Sequence, residues 1–372
     1  MGARGSLSER VFLLGAVMLA QAAGCARFGY EWLNVADMAP PPVGTGGAAG
    51  AAGIPASAGG GGIPGLVLEG SAGGAGSEPV IDPTQPDATS PQPDPTEQDA
   101  ALPLVTSPCA VLGAFGAPER VSGLGSGPFF SPALDSEGLM LLFASANPGD
   151  LFSARRLSRE TSTFGDVLPI GVNSQYTEVT PSLSPDGLAL WFASDRPGAQ
   201  SFRDLLVAQR ASLADDFDTA SFVTEANSFY TENLPSIYAD GTLLLFSSDR
   251  PGVGIMDLWQ ASRSSNSGPF SNFQPMPGLN SLFDDSGARM TADLLHVYFT
   301  SERDGGAGGR DLWFADRSSA SESFAAPQNL VELNGAADDA DAAVSSDGRE
   351  LFFVSTRSGN GQIWRSVRAC AE

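Results

Sequence analysis

The chain has 372 residues, with 43 acidic side chains, 20 basic ones and a net charge of −23. All 20 basic residues are arginine, and the chain holds one His and three Cys. A strongly acidic chain without a basic cluster is repelled by phosphate backbones, which argues against nucleic acid as a partner. One His rules out zinc sites with several His ligands, and three Cys rule out a site of four thiolates. No apolar run reaches the roughly 18 residues that a membrane-spanning helix needs.

The first 24 residues have the organisation of a secretory signal peptide. Two arginines precede an apolar stretch at 11–23, and small residues lead into Cys25. This order of a charged start, a short apolar region and a small-residue cleavage site is typical of such signals. The sequence AAGC at 22–25 resembles the bacterial lipobox, although Ala22 stands where that motif usually has Leu. The resemblance implies a diacylglyceryl group on Cys25 and sorting, favoured by Ala26, to the outer membrane of a bacterial envelope. A conventional signal peptide cut nearby is the alternative.

Residues 25–108 have the composition of a disordered tether. Between Pro40 and Pro108 there are 13 Pro and 14 Gly in 69 residues, which exceeds the roughly 25–30% that marks low complexity. Such a stretch buries too little apolar area to offset the entropy lost on ordering. We therefore expect the folded domain at 109–372, held away from a membrane surface.

Residues 131–368 contain five copies of one unit. Each copy is marked by an acid at a turn, followed in four copies by Gly, with spacings of 49, 54, 53 and 54 residues. These turn acids are Glu137, Asp186, Asp240, Asp293 and Asp347. Each is followed by an apolar run rich in aromatic and branched residues. The pattern predicts about four short strands per unit, and radial repetition of such units is typical of a β-propeller.

One copy, SPDGLALWFASDRPG at 184–198, shows the unit most clearly. It resembles the WD40-like repeat of the bacterial TolB type. The resemblance implies an all-β propeller that acts as a binding scaffold in the envelope, and it leaves the ligand open.

The last unit lacks a fourth strand, and the missing segment stands at the front of the domain. Residues 115–126 resemble residues 324–335, so we expect an N-terminal strand to complete the last blade beside Trp364. This arrangement predicts five blades, with six blades, as in TolB, as the alternative. A closed ring would also bring Cys109 and Cys370 within reach of a disulfide, which a secreted chain can form.

Residues that recur in the blades are expected to serve the fold. Four arginines stand ten residues after the turn acid, and we predict that they pair with an Asp further along the unit. The arginines are Arg196, Arg250, Arg303 and Arg357, and the acids are Asp204, Asp257 and Asp311. The predicted core aromatics are Phe143, Phe192, Phe246, Phe299 and Phe353. The position of His296 holds Met140, Ala189, Leu243 and Glu350 in the other units, which indicates a tolerant surface site.

A second recurring set forms the candidate binding site. Eight residues before the turn acids stand Glu178, Glu232, Asp285 and Asp339. In propellers of this kind the first strand of each unit lines the central channel, so we expect four carboxylates around one channel mouth. Like charges this close require a cation, a basic group or backbone donors. The site would then take Ca²⁺ or a cationic peptide; the alternative is that each acid caps backbone groups of its own strand.

The sequence as a whole favours an envelope-anchored monomeric lipoprotein whose propeller binds an envelope protein or peptide without catalysis. The alternative is a secreted five-bladed glycoside hydrolase, which needs two or three acids around a central pocket. The candidate acids repeat with the blades, whereas a catalytic pair needs two different environments to separate its pKa values.

Overall fold

The computed structural model describes residues 111–146 and 149–371. The chain divides into two units, Met1–Val105 and Thr106–Glu372, and every described residue belongs to the second. The predicted signal peptide, Cys25, the tether and Cys109 lie outside the described residues. Within the described part of the chain, no helix has the length and apolar character needed to cross a membrane.

The described residues form five antiparallel sheets of four strands each. The first blade holds β2 (Phe129–Leu134), β3 (Met140–Ser145), β4 (Leu151–Arg155) and β5 (Gly165–Pro169). The second holds β6 (Glu178–Leu183), β7 (Ala189–Ser194), β8 (Asp204–Gln209) and β9 (Ser221–Phe222). The third holds β10 (Glu232–Tyr238), β11 (Leu243–Ser248), β12 (Asp257–Ser262) and β13 (Ser271–Pro275). The fourth holds β14 (Asp285–Met290), β15 (His296–Ser301), β16 (Asp311–Asp316) and β17 (Gln328–Asn329). The fifth holds β18 (Asp339–Val344), β19 (Glu350–Ser355), β20 (Gln362–Val367) and, from the start of the domain, β1 (Glu119–Arg120).

The five sheets are the blades of a closed propeller. The first strands β2, β6, β10, β14 and β18 contact one another in that order, and β18 contacts β2. The first strands therefore surround a central axis, and the fourth strands lie at the outside of each sheet. The predicted all-β propeller and its five blades are confirmed, because the described residues close the ring with five sheets.

The second strands carry the core. The five predicted core phenylalanines are at most 1% exposed. Four of the turns before these strands place a Gly at φ between 70° and 84°, where a residue with a side chain is strained. In the fourth unit Leu294 occupies the equivalent position with φ 62°. The fold therefore imposes this turn conformation even where the residue is not Gly.

The last blade is completed by the N-terminal segment, as the sequence predicts. β1 pairs antiparallel with β20, with Glu119 opposite Arg365 and Arg120 opposite Trp364. On either side of β1 the backbone N–H groups of Gly116 and Val121 donate to β20 carbonyls at 2.8 and 2.9 Å. An isolated bridge between Leu112 and Cys370 continues this pairing.

Each first strand contains a bulge at the same place. The pairing with the second strand shifts register after the second residue. The third residue has a positive φ of 48° to 69°; these residues are Ser131, Thr180, Leu234, Gly287 and Asp341. A bulge bends its strand and increases the local twist. Because all five blades share it, we assign it to the curvature of the inner strands around the axis.

An ion-pair network joins the fifth blade to the first, across the interface that closes the ring, which we call the closing seam. Glu350 in β19 accepts hydrogen bonds from Arg156 at 2.7 and 3.0 Å and from Arg159 at 2.7 Å, both of which follow β4. Arg365 of β20 donates to the same carboxylate at 2.7 Å, and Arg159 also pairs with Asp347 at 3.0 Å. The Glu350 side chain is only 5% exposed. Glu350 occupies the position that His296 holds in the fourth blade. The prediction of a tolerant surface site there is therefore wrong for the fifth blade, because the Glu350 carboxylate links the two blades at the closing seam.

Candidate functional site: the axial cavity

The recurring arginines pair with the acids that begin the first strands. Arg196 lies 2.8 Å from Glu178, and the equivalent pairs in the next three blades are 2.6 Å apart. Each of these arginines also donates to a backbone carbonyl at the end of the preceding blade, such as Val172 for Arg196. The predicted pairing with Asp204, Asp257 and Asp311 is therefore wrong. The physical reason is the β6–β7 register, which sets Glu178 opposite Ser194, two residues before the arginine.

Those three aspartates instead organise the turn before their own strand. Asp204 accepts the backbone N–H of Gln200 at 2.7 Å. Asp257 and Asp311 accept equivalent backbone N–H groups at 2.5 and 2.7 Å. A carboxylate bound in this way holds the loop that leads into the third strand.

The four acids of the predicted channel mouth are wholly buried. Each is 0% exposed, and each bonds to a Ser N–H four residues earlier or, for Asp339, to the N–H of Gly335. Burial raises the pKa of Glu232, and hydrogen bonds from Ser228 and Arg250 oppose that rise. Each acid is paired with an arginine of its own blade, so the four buried carboxylates are not free to meet a ligand in this structure, and binding of a cationic peptide at this channel mouth stays a prediction. No group of three or more His, Cys, Asp or Glu side chains is arranged to hold a metal within residues 111–146 and 149–371. Binding of Ca²⁺ stays a prediction.

The central axis instead opens into a cavity at the other end of the first strands, beside the turns that carry the turn acids. Its volume is about 360 Å³, and all five first strands contribute to its wall. The rim is formed by turn residues that include Asp135 and Asp240. This is the place where the five blades present side chains to one common space.

Two layers of side chains make the wall. The layer beside the turns is apolar in every blade: Leu134, Leu183, Ile237, Met290 and Val344. The preceding residues of the five strands are Ala133, Ser182, Ser236, Arg289 and Ala343, and all of them except Ser236 line the cavity. Four blades therefore place a small side chain at this level, and only the fourth places a long charged one there.

Arg289 is buried in this small-residue layer, with 6% of the residue exposed. Its Nη1 donates to the carbonyl of Pro235 at 2.8 Å and reaches that of Leu234 at 3.5 Å. Burial lowers the pKa of Arg289, and the neighbouring Tyr238 and Asp341 act in the opposite direction. The guanidinium thus lies on the cavity wall with a backbone partner on one side only.

The two polar neighbours of Arg289 are occupied elsewhere. The Oδ2 of Asp341 accepts the N–H and the hydroxyl of Ser131, at 3.1 and 3.0 Å. The hydroxyl of Tyr238 accepts the N–H of Met290 at 2.8 Å. Among the described residues no carboxylate forms an ion pair with Arg289. Arg289 therefore has a carboxylate nearby in Asp341, but it forms no ion pair with it.

Arg289 is not among the predicted site residues, although its departure from the repeat is visible in the sequence. Arg289 stands four residues before the turn acid Asp293, where the other units have Ala or Ser. A search for residues that recur overlooks a residue that breaks the recurrence.

No protein-family model and no curated protein matches the chain. Several solved structures are similar in fold. A TolB structure from Agrobacterium tumefaciens is 15% identical, with 65% of this chain and 79% of that chain covered and a TM-score of 0.42. TolB from Acinetobacter baumannii is 14% identical over 65% of this chain, with a TM-score of 0.41, and the match spans 55% of that protein. The endo-arabinase from Bacteroides thetaiotaomicron is 10% identical, with 68% and 98% of the two chains covered and a TM-score of 0.47. Such similarity concerns the fold alone.

Proposed function

We propose that the chain is a lipoprotein of a bacterial cell envelope whose propeller binds an envelope protein or peptide without catalysis. Cys25 carries the lipid, residues 25–108 form the tether, and the propeller acts as a monomer at the outer membrane, on the periplasmic side or the surface. The signal-peptide pattern and the lipobox resemblance support the anchor, and the Pro and Gly content supports the tether.

The axial cavity carries the binding part of this proposal. Five strand ends surround about 360 Å³ of space, which lies within the size range of ligand sites. An apolar upper layer and small side chains below it suit a peptide segment with an apolar end. The two acids on the rim, Asp135 and Asp240, would favour basic residues further along a bound peptide.

Closing the cavity tests the binding role. Ala343→Phe places a large side chain in the cavity wall, and Ala326→Phe adds the same side chain at an exposed site outside it. Solubilised envelope proteins are passed over each immobilised full-length chain, and the retained proteins are compared. Because Ala343 is only 3% exposed, thermal melting first establishes that Ala343→Phe folds. We expect retention by the wild type and Ala326→Phe and its loss in folded Ala343→Phe. Equal retention by both variants would show that the cavity is not the binding site.

Two further assays address the anchor and the alternative activity. Labelled palmitate should be incorporated into the wild-type chain and not into Cys25→Ser; equal labelling would refute lipidation at Cys25. Hydrolysis of any member of a polysaccharide panel by the wild-type chain would contradict the non-catalytic role and favour the glycoside hydrolase.

A further inference from the structure

Burial of the Arg289 side chain destabilises the fold, and its guanidinium makes few hydrogen bonds that would compensate. A buried charge that forms no ion pair is destabilising, because a direct pair would otherwise offset the desolvation of the cation. Its clearest hydrogen bond within the described residues goes to the carbonyl of Pro235. The equivalent positions in the other four blades are filled by Ala or Ser, so the architecture does not require an arginine.

The free part of the guanidinium is the part that recognises carboxylates. Nη1 is directed to the carbonyls of Leu234 and Pro235, whereas Nε and Nη2 make no hydrogen bond within residues 111–146 and 149–371. These two nitrogens form the fork that binds both oxygens of a carboxylate in a planar pair. Because Arg289 lines the axial cavity, the fork is accessible to a group that enters from the turn side.

The charge balance selects a monoanion. Arg289 is the only cationic side chain in the cavity wall described here, and the rim carries Asp135 and Asp240. Asp341 lies close by as well. A dianionic phosphate would be opposed by these carboxylates, whereas a single carboxylate matches a single guanidinium.

The layered wall selects the rest of the ligand. The cavity that Arg289 lines is also lined by Leu134, Leu183 and Ile237. A ligand whose carboxylate lies against Arg289 therefore needs apolar atoms beside it, to contact these side chains. A peptide that ends in an apolar residue has this arrangement.

We infer that the axial cavity binds the free C-terminal carboxylate of a peptide with an apolar last residue, and that Arg289 receives the carboxylate. This inference rests on the proposed binding role of the same cavity and names its ligand. Arg289 is then a binding residue, and in the complex its side chain gains the direct ion pair that it lacks in the free chain.

The test compares two forms of one peptide library. N-acetylated hexapeptides with Leu, Ile, Val or Phe at the last position are prepared as free acids and as C-terminal amides. Each set is passed over the immobilised full-length chain, and the dissociation constants of retained peptides are measured by titration calorimetry. We expect free acids to bind at least about tenfold more tightly than the matching amides, the usual effect of a hydrogen-bonded charge. Sodium acetate and inorganic phosphate are titrated alongside, and displacement of the peptides by acetate at lower concentrations than phosphate is expected.

Two variants identify the residue responsible. Arg289→Gln should remove the difference between acid and amide, whereas Arg349→Gln, which removes an exposed arginine outside the cavity, should keep it. Arg289→Gln and Arg289→Met should melt at or above the wild-type temperature, because they remove an unpaired buried charge. If neither variant folds, Arg289 is a structural residue and the inference is wrong.

The outcomes separate the inference from the proposed function. Equal binding of acids and amides, or an acid preference that survives Arg289→Gln, would overturn the carboxylate role and leave peptide binding intact. Tighter binding of phosphate than acetate at the same site would also overturn it. If no member of either library binds at 1 mM while Ala343→Phe still abolishes capture of envelope proteins, the cavity binds a partner by another feature and the C-terminal inference fails alone.

Discussion

The closing seam depends on a single buried carboxylate, which makes Glu350→Gln the most informative stability variant. Glu350 accepts charged hydrogen bonds from Arg156, Arg159 and Arg365, at distances of 2.7 to 3.0 Å. Both oxygens are used and the side chain is 5% exposed. Gln keeps the shape but leaves three guanidinium groups around a neutral amide. Removal of one partner from a buried ion pair costs roughly 3–5 kcal/mol, and we expect a loss of that size in the free energy of unfolding.

Equilibrium urea unfolding at neutral pH, followed by tryptophan fluorescence, measures this loss. The matched control is Arg310→Gln, because Arg310 and Asp338 form an ion pair at 3.6 Å between the fourth and fifth blades. That pair is partly exposed, and exposed pairs contribute about 0–1 kcal/mol. A loss below about 1 kcal/mol for Glu350→Gln, equal to that of the control, would refute the role assigned to the seam network.

Three further predictions follow from the same structure. Burial would raise the pKa of Asp347, but hydrogen bonds from Arg159 outweigh this effect and lower the pKa to about 2. The lowered pKa contributes about 2 kcal/mol to the free energy of unfolding above pH 4, and this contribution is lost as the pH falls from about 4 to 2. The urea midpoint of Asp347→Asn should therefore change less over that pH range than the midpoint of the wild type. Gly287→Ala should cost about 1 kcal/mol, because φ is 69° there while the nearest side-chain atoms lie 3.8 Å from the added Cβ; a cost above 3 kcal/mol in the same assay would show that space is limiting. Alkylation of the mature chain without reduction should leave Cys109 and Cys370 unlabelled in intact-mass spectra, and two labels would contradict the predicted disulfide.

The fold could be predicted from the sequence because every blade repeats the same local signals. The turn acid, the apolar run and the following arginine occur at fixed spacing, so five weak patterns support one another. The origin of β1 was also predictable, since the last unit ends at Val367 without a fourth strand and residues 115–126 resemble that strand. In the register that the structure shows, Glu119 lies opposite Arg365, and their side chains form an ion pair at 2.7 Å.

The pairing of charges could not be predicted in the same way. Arg196 stands eight residues before Asp204 and eighteen after Glu178, and spacing alone favours the nearer acid. The hairpin of β6 and β7 brings the distant acid beside the arginine, whereas Asp204 turns to the backbone of its own loop. Which of two acids faces a cation is a property of register and side-chain direction.

Residues that recur in every blade maintain the fold, whereas a residue found in one blade only needs another explanation, such as ring closure or ligand binding. Glu350, Arg365 and Arg289 are buried charges that stand where the other blades have residues of a different kind. Glu350 is surrounded by three arginines of the same chain, so its departure from the repeat is explained by ring closure. Arg289 forms no ion pair within the described residues, although only 6% of the residue is exposed. Its departure from the repeat is instead consistent with the inferred carboxylate ligand, because Arg289 lines the axial cavity that such a ligand would enter.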